Sequence, residues 1–205
     1  MYKMSQTAKK PTRAKAFEMI CLLKEGQTLY SEQIDSLLLY FAPALPKKPK
    51  SALEWLAKAC DPMDNRETCK FVFVKNGRGI ATNGHRVHEA SVDLPDGAYC
   101  PKTLTPVDID LRWFDPLERV AERPPETKPY PFDQLEFGVW HADTRKGKPQ
   151  NYKRVPNDIA VNESYLQDAV SAGEPETVYY GLRNSVQLLC GENEFGYWHI
   201  AGMRV

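Results

Sequence analysis

The run Gly79-Ile80-Ala81-Thr82-Asn83-Gly84-His85-Arg86-Val87-His88 decides the reading of this chain. An apolar strand end meets an Asn-Gly pair and re-enters an alternating segment through His-Arg, the pattern of a tight β-hairpin. Two functional readings start from it. The run is either a structural turn that addresses a fold, or His85 and His88 belong to an active or metal site. Three residues apart on a strand, the two histidines point to opposite faces, because side chains alternate with period two. A zinc site completed by Cys69 or Cys100 therefore has the wrong spacing. Arg86 is expected to anchor the hairpin through carboxylate or carbonyl contacts.

Outward from the hairpin, apolar segments and turn residues set out the rest. Lys70–Val74 reads as a strand, Asn76-Gly77 as a hairpin turn and Arg78–Thr82 as the returning strand. Ser51-Ala52-Leu53-Glu54 is a capping box, followed by a short amphipathic helix through Cys60. Strands are expected at Val87–Val92 and Gly97–Cys100. Asp115-Pro116 is expected to cap and open a helix through Glu122. Pro124–Pro131 reads as a linker or extended crossing segment. Phe137–His141 and Arg154–Val161 read as strands flanking a basic loop. Asn162 caps a helix ending near Gly173, and Val178–Tyr180, Val186–Cys190 and Tyr197–Ala201 close the chain as strands. The order is a duplicated helix-then-strands unit, an α+β fold with helices packed on one sheet face.

Before this domain, residues 1–11 read as a polar arm. Thr12 could cap a helix over Arg13–Glu25, with Phe17, Ile20, Cys21 and Lys24 near helical spacing, and Ser31 opens a second helix through Tyr40. A Pro-Lys linker at 43–50 follows. The division expected is an arm and helical extension over 1–47 and an α+β domain over 48–205.

Three short motifs resemble bacterial DNA polymerase sliding clamps. Ala81-Thr82-Asn83-Gly84-His85-Arg86-Val87 is similar to the clamp hairpin A-T-D-G-H-R-L, with Asn83 in place of Asp. Asn162-Glu163-Ser164-Tyr165-Leu166 resembles the clamp helix start N-x-x-Y-L, and Ile200–Val205 resembles the M-P-M-R-L terminus. The likeness covers about residues 48–205 and implies one clamp domain, made of two such units. Clamp chains carry three domains and close a ring as a dimer. Clamp helices line the ring with Lys and Arg, whereas the 162–172 helix here bears Glu163 and Asp168 and no basic residue. A clamp-like fold used differently is the expectation.

Formal charge is zero over 205 residues, yet residues 1–50 hold nine Lys/Arg against four Asp/Glu. Local clusters set the field that an anionic partner meets. Lys9, Lys10 and Arg13 form one cluster and Lys47, Lys48 and Lys50 another. The third combines Arg145, Lys146, Lys148, Lys153 and Arg154 with Trp140 and Tyr152, joining phosphate attraction to rings on which bases stack. Tyr179, Tyr180, Phe195 and Trp198 are expected to pack the final sheet, with room for one exposed ring.

Five widely spaced cysteines without a C-x-x-C pair suit reduced thiols of a cytoplasmic protein. No apolar run approaches the ~20 residues that span a bilayer. No nucleophile elbow, P-loop or dinucleotide fingerprint occurs. The expectation is a non-enzymatic, cofactor-free DNA-binding accessory protein with no metal site. Its partners would be DNA, preferably single-stranded, and a DNA or RNA polymerase in replication or transcription, for example in a phage and hence in the host cytoplasm. Homo-oligomerisation stays open, and no membrane partner is expected. The rivals are a module that mimics or inhibits a sliding clamp and a metal-dependent nuclease.

Overall fold

In the computed structural model, residues 12–24, 28–30, 33, 34, 36, 48–140, 150–156 and 158–203 are described. The chain divides into two units, Met1–Leu45 and Pro46–Val205. In the first, helix α1 spans Arg13–Lys24. Thr12 caps it as expected, its hydroxyl accepting from the Lys15 N–H at 3.3 Å. Ala16 and Met19 are its buried residues, whereas Phe17, expected on the apolar side, is exposed. Of the second expected helix only Gln33, Ile34 and Ser36 are described, all helical.

The second unit opens with α2 (Ala52–Ala57), capped by Ser51, whose hydroxyl accepts from the Glu54 N–H. The reciprocal bond of the capping box lands one residue early, on the Lys50 N–H at 2.7 Å from the Glu54 carboxylate. A one-turn helix α3 (Glu67–Lys70), absent from the sequence reading, precedes β1 (Val72–Lys75). Asn76 and Gly77 both have positive φ, 54° and 74°, and join β1 to β2 (Arg78–Thr82) as the Asn-Gly pair demands. β3 (Arg86–Ser91), β4 (Gly97–Tyr99) and the two-residue β5 (Pro106–Val107) complete the first half.

Helix α4 spans Phe114–Ala121. Its cap lies earlier than expected: Asp110 accepts from the Arg112 N–H and opens a 3₁₀ turn over Leu111–Trp113 that runs into α4. Asp115 instead pairs with Lys75 at 2.9 Å. The proline-rich segment is a strand, β6 (Thr127–Pro131), because it pairs with residues Thr177 to Gly181 along the sheet edge. β7 (Glu136–Trp140) and β8 (Gln150–Arg154) pair along their whole length, and β9 covers Ala160–Asn162. The expected strand over Arg154–Val161 is thus two strands broken by a turn at Val155–Ile159. Asn162 caps α5 (Glu163–Ala169) through the Ser164 N–H, and a 3₁₀ turn carries it to Gly173. β10 (Thr177–Arg183), β11 (Val186–Glu192) and β12 (Gly196–Ala201) end the chain.

The fold is α+β. Nine antiparallel strands run in the order β5-β4-β1-β2-β3-β12-β11-β10-β6, and β7-β8-β9 form a separate sheet. The two halves of the large sheet meet where β3 pairs with β12, His88 opposite Trp198. Leu53, Trp55 and Leu56 of α2 and Leu166 and Ala169 of α5 share one core with Val72, Val74, Leu189, Trp198 and Ile200. Helix α4 is the exception to the one-face expectation. Its Phe114, Leu117 and Ala121 pack on Phe73, Ile80 and Val87, which strand alternation places on the other face. All five cysteines are free, and Cys60, Cys69 and Cys190 are buried. No helix among the described residues is long and apolar enough to cross a membrane.

Candidate nucleic-acid interface

The hairpin that opened the reading is structural. Asn83 and Gly84 lie in a four-residue connection between the paired Thr82 and Val87, longer than a two-residue turn. The Asn83 carboxamide accepts from the N–H groups of His85 and Arg86, at 3.0 and 3.1 Å, and Gly84 takes φ of 86°. Arg86 anchors the hairpin as expected. Its guanidinium donates to Asp168 of α5 at 2.6 Å and to the Lys58 carbonyl just past α2, and lies over the Tyr165 ring. The histidines separate, although His85 stands in the connection and not on a strand: His85 is exposed near Tyr165, and His88 of β3 is fully buried, stacked on Trp55 at 4.3 Å. Its Nδ1 lies 2.9 Å from the Trp55 carbonyl oxygen. Burial, with Arg86 adding to it, pushes the His88 imidazole down to about 3, so it stays neutral.

Of the basic aromatic cluster, Trp140, Tyr152, Lys153 and Arg154 fall on the β7–β8 ribbon. Glu136 stands opposite Arg154, Phe137 opposite Lys153, Gly138 opposite Tyr152 and Trp140 opposite Gln150. The Tyr152 ring lies directly on Gly138, with Cζ only 2.2 Å from where a Cβ would stand, so a side chain at 138 would have to displace the ring. The Lys153 ammonium sits 5.7 Å from the centre of the Phe137 ring, and Phe137 is 55% exposed. That is a cation beside an open ring face, the pairing that single-strand binders use. Arg154 is compensated by Glu136 at 2.8 Å. Phe137 is not among the candidates drawn from the sequence. Its signal in the sequence was a large apolar side chain on a short strand beside a basic loop.

Arg145, Lys146, Lys148, Lys9, Lys10 and Lys47 lie outside the described residues. Arg13 begins α1, and the backbone of Trp140 ends β7. Lys48 and Lys50 are not placed on the ribbon. Lys48 pairs with Glu194 at 2.9 Å, and Lys50 stands at the start of α2 beside Glu54. A different cation–ring pair lies elsewhere: Lys128 of β6 sits 5.9 Å from the Tyr180 ring centre. Both line a surface cavity of about 510 Å³ with Ile159, Leu182 and Gln187. The exposed ring of the final sheet is Tyr179.

The outer positions of α2 and α5 carry Glu54, Lys58, Glu163, Gln167 and Asp168, an acidic balance. Asp168 is already committed to Arg86, so the helix face offers no excess of positive charge. Among the described residues no cluster of three His, Cys, Asp or Glu groups could hold a metal.

No protein-family model matches the chain, and no curated protein matches it. Among solved structures it is similar to the DNA polymerase sliding clamp of Pseudomonas aeruginosa, determined with a ligand. That match has 17% identity and a TM-score of 0.47 over 80% of this chain and 69% of that one. The DNA polymerase III subunit beta of the same organism matches at 16% identity and a TM-score of 0.46 over 80% and 69%. The same subunit of Borrelia burgdorferi, in complex with a natural product, matches at 12% and 0.39 over 87% and 70%. These are proteins of the family whose motifs the sequence resembles.

Proposed function

We propose that this protein is a non-enzymatic DNA-binding accessory factor, preferring single strands, that tethers or recruits a polymerase. In this reading it acts in replication or transcription, in the host cytoplasm if a phage encodes it. The observation that carries the proposal is the β7–β8 ribbon, where Lys153 lies against the exposed ring of Phe137. The ribbon leads into the segment that holds Arg145, Lys146 and Lys148. Cations hold the backbone phosphates and rings stack on bases, at roughly 1–3 kcal/mol per base. DNA would lie along this ribbon and not across the helices, whose outer face carries no excess of positive charge.

That same helix face favours a second reading, a protein-interaction module that mimics or blocks a clamp. Titration of single- and double-stranded oligonucleotides at several salt concentrations, with a check for cleavage, separates the two. Salt-sensitive binding, tighter for single strands and without cleavage, is expected. Its absence sinks the DNA reading and leaves the interaction module. Lys153→Gln and Phe137→Ala should each weaken binding several-fold, and Arg154→Gln less, because Glu136 already compensates that charge.

A further inference from the structure

A β-sheet edge presents unpaired N–H and C=O groups to any strand that can reach it. Both edges of the nine-stranded sheet carry proline: Pro106 in β5, Pro129 and Pro131 in β6. A proline cannot donate to an added strand, so these edges are blunted. The second sheet is different. Its β9 end is met by Met203, which bridges to Ala160, while among the described residues β7 has no neighbour on its outer side. β7 reads Glu136-Phe137-Gly138-Val139-Trp140, without proline and rich in strand-forming residues. Its single charge is neutralised by Arg154. Among the described residues three sheet edges are blunted or covered, and the fourth, β7, is left open.

We propose that β7 is a pairing surface for β7 of a second copy of this chain, antiparallel about a two-fold axis at Gly138. The strand is self-complementary in that register. Gly138 faces Gly138 of the second copy, Phe137 faces Val139, and Glu136 faces Trp140, so no like charges stand opposite each other. The Tyr152 rings, each crossing above its own Gly138, converge on the seam. The product is a continuous six-stranded sheet, β9-β8-β7 followed by the same strands in reverse. Parallel pairing, or a register centred on Glu136, would bring like charges together or lose the glycine contact.

Sedimentation of the full chain without DNA, over a micromolar-to-millimolar series, tests this proposal. A concentration-dependent dimer is expected. The double variant Phe137→Lys, Val139→Lys sets lysines opposite lysines on both sides of the axis and should remain monomeric with unchanged far-ultraviolet circular dichroism. In a second arm, Glu136→Cys with Trp140→Cys should yield a disulfide-linked dimer in oxidised glutathione, with the natural sequence as control. A monomer throughout the series, a lysine variant that dimerises like the natural chain, or no cross-link above the control overturns the proposal. Association is read in the absence of DNA, so its failure leaves the DNA-binding reading untouched.

Discussion

The two halves of the large sheet repeat one plan, a helix followed by antiparallel strands, yet they are covered differently. The first half lies between α2 on one face and α4 on the other, so Phe73, Ile80 and Val87 are buried as completely as Val72 and Val74. The second half has α5 and, on the opposite face, the crossing chain near Arg123 and Glu126. There Gly181 lets the Glu126 carbonyl approach to 2.2 Å of where a Cβ would stand. Arg123 lies over the Tyr197 ring and pairs with Glu192. The helix α4 is tied to this half as well, since Arg183 of β10 donates to the carbonyls of Arg119, Val120 and Glu122 at its end. A repeated sequence pattern therefore fixes strands and helix caps, while the unrepeated pieces decide which surfaces stay open. The β7–β8 ribbon is one such piece, and the candidate site is on it.

The largest effect should come from breaking the joint between halves. Trp55 is fully buried, donates from its indole nitrogen to the Ala169 carbonyl at 2.9 Å and stacks on His88. Trp55→Ala should cost about 3–5 kcal/mol in urea unfolding, for a large core deletion. Arg86→Met should cost roughly 2–4 kcal/mol, because Asp168 and the Lys58 carbonyl lose their buried partner. A loss under about 1 kcal/mol in both would mean the halves stand independently.

Acid should act on both halves of the seam. His88 in β3 and His199 in β12 are buried and held down to about 3, chiefly by desolvation, with nearby arginines adding to it. The unfolded histidines take up protons below about 6.5, the folded ones only near 3, so stability falls as pH drops through that window. Between pH 7 and 5 the loss should be on the order of 1–2 kcal/mol for each histidine. Unfolding curves at the two pH values check this, and His199→Asn should flatten the slope. An unchanged midpoint would place both histidines in contact with water.

The smallest effect distinguishes the two hairpin turns. The first uses Gly77 at positive φ, whereas the second places Asn184 at 49° and Ser185 at 65°. Serine is strained there and glycine is not. Ser185→Gly should stabilise by about 0.5–1 kcal/mol and Gly77→Ala should destabilise by a similar amount, read from thermal midpoints. Equal signs would show that the turns do not share a conformation.

The caps at Thr12, Ser51 and Asn162 were legible because each is a local contest between a side chain and a few orphan amides. The final three strands were legible for the same reason, being consecutive and alternating. What escaped depends on distant neighbours. β6 is a strand only because β10 lies beside it, and prolines in isolation read as linker. The α4 face was invisible, since periodicity shows that a helix has an apolar side but not which sheet face receives it. The capping residue of α4 was misplaced because Asp110 and Asp115 are equally good local candidates. At the candidate site, charge and aromatic content marked the loop, but the pairing of Lys153 with Phe137 needed the strand register, and so did the neutralisation of Arg154 by Glu136.

The β3–β12 pairing carries a consequence in chain entropy. Every other neighbour pair in the first half joins strands close in sequence, as do β10, β11 and β12. His88 and Trp198, by contrast, lie about 110 residues apart along the chain. Closing so long a loop is the most expensive single ordering step in assembling the sheet, because that cost grows with loop length. Each half can collect its local contacts first. The arginine, the stacked rings and the ladder that meet at the joint then turn two local folds into one cooperative body.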